Sequence, residues 1–266
     1  MDMAKICYCA DDFAMNPEIS EAILLLIKKG VLHATSCMTQ SEHWPIAAQQ
    51  LKTLTTHVEV GLHLNFTHAF QPQTIAFPLP MLMLKAWTRH LDTKIIQQSL
   101  EQQWNSFLSE MGKQPDFIDG HQHIHQFPVI RDVLMDFLQQ QNFQGWVRNL
   151  QHPLTISNYT IKTRLLSALG AATLASQCRQ KNIHQNQYFA GIYDFEQKNY
   201  AQLNQQWLMR AQDNLLIMCH PATQAVDQQD PIAQARVREF QYLSSSQFRD
   251  DCQIYQISLT SMDTLL

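Results

Sequence analysis

The chain has 266 residues, of which 45% are hydrophobic and 16% charged, and this is long enough to bury a sizeable core in one or two domains. Its seven glycines and ten prolines are too few for a fibrous or low-complexity protein. The formal net charge of −4 excludes the strongly basic surface typical of nucleic-acid-binding proteins, so we expect no nucleic-acid partner.

Short apolar runs alternate with helical segments along the first half of the chain. The predicted strands are residues 5–10, 33–39, 57–64, 116–119 and 146–148. The first helix is predicted from the N-cap Asn16 and Pro17 to Gly30, and further helices at 44–52, 93–111 and 128–141. The irregular segment 71–88 contains three prolines and is predicted to be an insertion or lid, extending to about residue 90.

The same alternation continues through the second half. Helices are predicted at 161–181, 201–212 and 231–245, and strands at 188–193, 215–219 and 253–259. About eight strands with intervening helices predict an α/β protein with a parallel sheet, either closed into a barrel or open and doubly wound. Because no linker or internal repeat divides the chain, we expect one domain over residues 1–266.

The cysteines and the first residues bear on the compartment. Cys7, Cys9, Cys37 and Cys219 lie in apolar, strand-like runs, where cysteine behaves as a small hydrophobic residue. Residues 1–5 lack the basic and apolar segments of a signal peptide, and no apolar run approaches the roughly 18 residues that span a bilayer. We therefore expect reduced core thiols, a cytoplasmic protein and no membrane partner.

Four groups of polar residues share one position, because each follows the end of a predicted strand. They are Asp11 with Asp12, His63, the run from Asp119 through His121 and His123 to His125, and His220. In parallel α/β proteins the carboxyl ends of the strands form the active face. We therefore expect these residues, far apart in the sequence, to meet at one edge of the sheet.

The adjacent carboxylates Asp11 and Asp12 repel each other unless a cation or hydrogen-bond donors lie opposite. On a strand the two side chains point apart, so that one would bind a metal and the other would handle a proton. The alternative is a helix N-cap or turn that leads into the helix at Asn16.

The three histidines His121, His123 and His125 are hard to explain as core residues. In an extended segment all three rings would face one side, whereas in a bent segment only one or two would reach the centre. Two histidines and one aspartate leave coordination positions open, which suits a hydrolytic zinc, or magnesium or manganese if water fills more positions. A closed structural zinc site would need a fourth protein ligand, and the sequence has no CxxC spacing to supply it.

Four motifs occur in family order, and together they resemble those of the YdjC-like carbohydrate deacetylases, which include chito-oligosaccharide deacetylases. The motifs are ADDF at 10–13, GLHL at 61–64, DGHQHIHQFP at 119–128 and CHP at 219–221. The resemblance covers about residues 4–225. It implies an irregular (β/α) TIM-like barrel, related to the NodB-type polysaccharide deacetylases, and one divalent metal ion, Mg²⁺ or Zn²⁺.

The same resemblance implies a role for each site residue. The metal ligands would be Asp12, His63 and His121, with Asp11 as general base and His220 as general acid. The residues implied near the substrate are Arg148, His123 and His125. The chain departs from the family at Ala14 and Ala222, where glycine is usual, and at 38–40, where asparagine is usual.

The activity that the resemblance implies is metal-dependent hydrolysis of the N-acetyl group of an acetylated amino sugar, with an oligosaccharide as the small-molecule partner. One alternative keeps the metal and changes the bond to an ester or another amide. Another is a degenerate barrel that binds a metal or a sugar without catalysis. A homo-oligomer is compatible with the fold.

Overall fold

The computed structural model describes residues 3–266 apart from the side chain of Ser157. Met1 and Asp2, on which the signal-peptide prediction partly rests, lie outside the described residues. The strands are β1 (Ala4–Phe13), β2 (Ala34–Cys37), β3 (Glu59–Leu64), β4 (Phe117–Gly120), β5 (Trp146–Val147), β6 (Tyr188–Ala190), β7 (Leu215–Cys219) and β8 (Ile257–Leu259).

Ten α-helices lie within the described residues. They are α1 (Pro17–Lys28), α2 (Trp44–Lys52), α3 (Leu79–Trp87), α4 (Thr93–Met111), α5 (Ile130–Gln140), α6 (Thr160–Ala168), α7 (Ala171–Gln180), α8 (Tyr200–Leu208), α9 (Ala233–Leu243) and α10 (Ser246–Ile254). The predicted start of α1 is confirmed, because the Asn16 side chain accepts a hydrogen bond from the Ile19 backbone N–H.

The strands form one curled parallel sheet in the order β5-β4-β3-β2-β1-β7-β6, and β8 pairs with the amino-terminal end of β1. After β5, residues 152–154 run beside the edge strand β6, where the Leu154 N–H donates to the Phe189 carbonyl over 2.7 Å. The central strands are buried on both faces, as helices cover a parallel sheet. The predicted α/β fold, an irregular (β/α) barrel, is confirmed.

The segment predicted as irregular, 71–88, contains helix α3. Pro78 is the N-cap of this helix and Pro80 lies in its first turn, where a missing backbone N–H costs nothing. The prolines therefore mark the start of a helix, and the prediction that the segment has no regular structure is wrong.

The helix predicted at 161–181 is two helices, α6 and α7, separated at Gly170. This residue has φ +117°, and a Cβ there would lie 2.2 Å from the Gln126 carbonyl oxygen. The chain turns at Gly170 because the backbone at Gln126 approaches too closely for any side chain.

The strand predicted at 253–259 begins later, at Ile257. The preceding residues continue α10, which starts at the N-cap Ser245, whose side chain accepts from the Phe248 N–H. All six cysteines are free and buried, as predicted for Cys7, Cys9, Cys37 and Cys219. Within residues 3–266, none of the helices combines the length and the apolar character needed to cross a bilayer.

Candidate active site

The polar residues that follow the strands meet in one cavity of about 500 Å³ at the carboxyl edge of the sheet. Its lining includes Asp11, Asp12, His63, His121, His123 and His220. A larger groove, of about 1100 Å³, lies at the opposite edge and is lined by other residues, such as Glu59 and Trp146. The carboxylates and histidines that follow the strands therefore lie in the smaller of these two cavities.

An irregularity at the end of β1 turns both aspartates into the cavity. The pairing of β1 with β2 shifts register between Ala10 and Phe13, and Asp12 lies within this shift at φ 68°. Aspartate tolerates this left-handed conformation better than most residues. Ala14, at a position where the sequence resemblance implied glycine, also has a positive φ of 70°.

Three side chains converge on one point in the cavity. The Asp12 Oδ1 atom lies 3.3 Å from His63 Nε2 and 3.1 Å from His121 Nδ1. One ligand atom from each of the three residues lies within 4.8 Å of the others. One carboxylate oxygen and two imidazole nitrogens are a donor set that suits a catalytic zinc with open positions.

The ring of His63 is oriented by neighbours on β4 and β2. Its Nδ1 lies 2.6 Å from Asp119 Oδ1 and 3.0 Å from Ser36 Oγ. Because a carboxylate only accepts, Nδ1 carries a proton, and Nε2 faces the cavity, where it offers a lone pair once the ring is neutral. Burial opposes a charge on this ring, but the Asp119 carboxylate outweighs it and raises the pKa of His63 to about 10. A proton and a metal cation therefore compete for Nε2.

The histidine run after β4 is bent. Gln122 and His123 have φ of 54° and 59°, and a Cβ at Gly120 would lie 2.9 Å from the backbone nitrogen of His125. The bend brings His121 and His123 to the cavity and turns His125 into the core, where Nε2 lies 3.1 Å from the Arg148 carbonyl oxygen.

Arg148 lies beneath the cavity. Its guanidinium contacts Asp11 at 2.5 and 2.7 Å and Asp119 at 2.6 Å, and its side chain has no exposed surface. The sequence resemblance implied substrate contacts for Arg148 and His125. Both side chains are fully buried, and neither is among the residues that line the cavity.

His220 follows β7 and faces Asp11. Its Nε2 lies 3.9 Å from Asp11 Oδ2, and burial lowers the pKa of the ring to about 4, against the opposing effect of Asp11 and Asp12. The backbone N–H of His220 donates to the buried carboxyl group of Glu239, whose pKa burial raises to about 7.

Two site residues on α9 were missed by the sequence reasoning. Arg236 and Glu239 are buried one turn apart, and Arg236 Nη2 lies 2.7 Å from Asp12 Oδ2. In the sequence they stand among polar residues of an ordinary amphipathic helix. The only available signal is their spacing of three residues, which places both on one face.

The charges around the cavity leave room for a divalent cation. Arg148 pairs with Asp11 and Asp119, and Arg236 pairs with Asp12 and Asp230. Two guanidinium groups therefore face four carboxylates. With the neutral histidines that metal binding requires, this cluster has a formal charge of −2, and a buried charge of that size is costly without a counterion. The residues at Asp12, His63 and His121 therefore fit a divalent metal ion.

A second group of potential ligands, Cys9, Asp11 and Asp119, lies deeper. The guanidinium of Arg148 already contacts all three, at 3.2 Å from Cys9 Sγ and at shorter distances from the two carboxylates. This group therefore binds an arginine side chain rather than a metal.

The chain is similar to a known family over most of its length. The sequence model of the family described as YdjC-like protein matches residues 5–253. A protein named chitooligosaccharide deacetylase from Proteus mirabilis (strain HI4320) is 31% identical over 142 residues, covering 50% of this chain and 54% of that protein. One of the same name from Yersinia pestis (strain Pestoides F) is 26% identical over 224 residues, covering 80% and 79%.

A solved structure from Enterococcus faecalis V583, described as a candidate cellobiose-phosphate cleavage protein, has the same fold. It superposes with a TM-score of 0.69 at 19% identity, over 99% of both chains.

Proposed function

The chain belongs to the YdjC-like family, and on that premise we propose that it is a metal-dependent deacetylase that removes N-acetyl groups from acetylated amino sugars of the chito-oligosaccharide kind. The names of the two bacterial relatives support the substrate class. The observation that carries the proposal is the convergence of Asp12, His63 and His121 beside Asp11 and His220 in one cavity.

Asp12, His63 and His121 would hold one divalent cation, Zn²⁺ or Mg²⁺. When bound, such a cation polarises the acetyl carbonyl and lowers the pKa of a water molecule. The role of the protein is to hold the three metal-ligating atoms in place. Asp119 does this for His63 through the contact at Nδ1.

Asp11 would act as the general base. Burial opposes its ionisation, but the paired guanidinium of Arg148 holds the pKa of this carboxyl well below its usual range. The group is therefore a carboxylate at neutral pH and can take a proton from the attacking water. Arg148 also fixes the plane of the carboxylate, because it contacts both oxygens.

His220 would deliver a proton to the departing amine. With a pKa of about 4 its ring is neutral at rest, so it must first receive the proton that it donates. Asp11 Oδ2 lies 3.9 Å from Nε2, so the proton would pass when the two groups approach each other or through one water molecule. The proton taken from the water would therefore pass from Asp11 to His220 and then to the nitrogen of the leaving group.

His123 would contact the substrate. Its ring lines the cavity, and its buried Nδ1 has no hydrogen-bond partner among the described residues. Burial keeps the pKa of this ring well below the usual value, so that it is neutral. A hydroxyl or amide of a sugar would satisfy the unpaired nitrogen.

The test is acetate release from N,N′-diacetylchitobiose by metal-analysed protein, with and without a chelator. We expect release that the chelator abolishes and that added Zn²⁺ or Mg²⁺ restores. Release from simple esters but not from acetylated sugars would favour the alternative of a different bond. Protein that binds no metal and releases no acetate would contradict the proposal and favour a non-catalytic barrel.

A further inference from the structure

Arg236 lies buried between two carboxylates, and the mechanism above gives it no role. Its Nη2 is 2.7 Å from Asp12 Oδ2, and its Nε is 2.6 Å from Asp230 Oδ2. Its backbone carbonyl accepts a hydrogen bond from Ala222, which follows β7. Asp230 belongs to the segment 227–232, residues of which line the cavity.

Because of the contact with Arg236, the two oxygens of Asp12 have different partners. Oδ1 faces His63 Nε2 and His121 Nδ1, whereas Oδ2 is engaged by the guanidinium. A free carboxylate can turn and present both oxygens to a cation. Asp12 can do so only by breaking a buried, charge-assisted hydrogen bond, which is among the stronger kinds.

We propose that Arg236 is a positioning residue of the metal site, which commits one oxygen of Asp12 to the protein. A cation is then offered a single carboxylate oxygen beside two ring nitrogens. This inference rests on the proposed function, because that function supplies the metal. Through Asp230, the same guanidinium ties the metal ligand to the segment that lines the cavity wall.

Arg236 affects a cation in two opposite ways. Its positive charge alone repels a cation, and removing that charge would tighten metal binding. Its hold on Asp12 orients a ligand, and loss of such an orienting contact costs about 10–100-fold in metal affinity. The carboxylate of Asp230, 2.6 Å from the guanidinium, offsets part of that charge in the wild type, and we expect orientation to be the larger effect.

The experiment measures Zn²⁺ affinity by chelator competition in the full-length protein, for the wild type, R236M, R236K and the matched control R210M. Arg210 lies after α8 and contacts the backbone of Gln206, away from the cavity. We expect R236M to bind Zn²⁺ about 10–100-fold more weakly. Lysine keeps the charge but cannot bridge both carboxylates, so we expect R236K to lose affinity as well.

The visible absorption spectrum distinguishes a change in the orientation of Asp12 from a general loss of protein structure. In the Co²⁺-loaded protein, the visible absorption of R236M should differ from that of the wild type, because the freed carboxylate changes the ligand field, and R210M should match the wild type. If R236M does not fold, R236K decides. Wild-type affinity in R236K, or equal or tighter binding in R236M, would overturn the proposal.

The Zn²⁺ affinity and Co²⁺ absorption measurements use no sugar substrate. Wild-type protein that binds Zn²⁺ but releases no acetate would refute the proposed substrate and leave Arg236 to be judged by its own affinities. Wild-type protein that binds no metal would overturn both proposals.

Discussion

His63 and Asp119 face each other across β3 and β4, and the ring Nδ1 lies 2.6 Å from the carboxylate Oδ1. The other oxygen of Asp119 lies 2.6 Å from Arg148, which in turn contacts Asp11. One buried carboxylate thus connects a proposed metal ligand with the arginine that holds the proposed base. The two halves of the site are positioned by the same side chain.

Replacing Asp119 with asparagine should weaken metal binding. The amide oxygen of D119N can still accept from Nδ1, but it carries no charge to strengthen the ring as a ligand. We expect a loss of about tenfold or more in Zn²⁺ affinity, measured by chelator competition. S36A, which removes only a neutral contact at 3.0 Å, should lose much less. Equal affinities in D119N and the wild type would contradict the assigned role of Asp119.

Replacing Asp11 with asparagine should separate binding from turnover. D11N keeps the three proposed ligands, so metal content should stay near that of the wild type. Acetate release should fall by about 10²–10⁴-fold, because the proton acceptor is lost. D12N, by comparison, should lose both metal and activity. A fully active D11N would show that another group accepts the proton.

Arg148 should contribute mainly to stability. R148M leaves the carboxylates of Asp11 and Asp119 buried without their cation, and breaking a buried ion pair in this way typically costs about 3–5 kcal/mol. Urea unfolding of R148M, with R210M as the exposed control, measures this cost. If the stability of R148M is unchanged and its KM is raised, Arg148 contacts the substrate directly, as the sequence resemblance implied.

Glu59 should make stability depend on pH. Burial raises the pKa of this carboxyl to about 7, despite hydrogen bonds from Trp146, Met262 and Asp263. The folded protein then holds a proton that the unfolded chain releases above its ordinary value of 4.5. The contribution of Glu59 to stability therefore falls as the pH rises from 4.5 to about 7, and is constant above.

The variant E59Q removes this titration. The free energy of unfolding, measured in urea at about pH 5 and about pH 8, should fall less with pH in E59Q than in the wild type, by up to about 3 kcal/mol. Parallel pH profiles of the two proteins would show that Glu59 does not titrate in this range.

Much of the site could be predicted because its residues follow strands. Asp11, Asp12, His63, His121 and His220 each come directly at or after an apolar run, and parallel strands bring such positions to one edge. The bend at 121–126 could not be chosen over an extended segment, since it depends on left-handed φ values at Gln122 and His123 that no local pattern indicates.

The elements that were missed depend on tertiary contacts. Arg236 and Glu239 are polar residues on a helix, and only the position of α9 over the ends of β1 and β7 buries them. The break between α6 and α7 likewise depends on the close approach of Gly170 to Gln126, which are distant in the sequence. The periodicity of a sequence does not indicate which distant residues approach each other in the fold.

The floor and the walls of the cavity come from different parts of the chain. The floor includes the carboxyl end of β1, which pairs with β2 in its carboxyl half, with β7 in its middle and with β8 at its amino end. The walls are side chains of later segments, among them Leu79, Lys162, Leu166, Phe195 and Gln229. Phe195 and Gln229 lie in loops, which accept substitutions more readily than central strands do. Members of the family can therefore differ in the molecules that they bind while the carboxylates and histidines at the ends of the strands stay where they are.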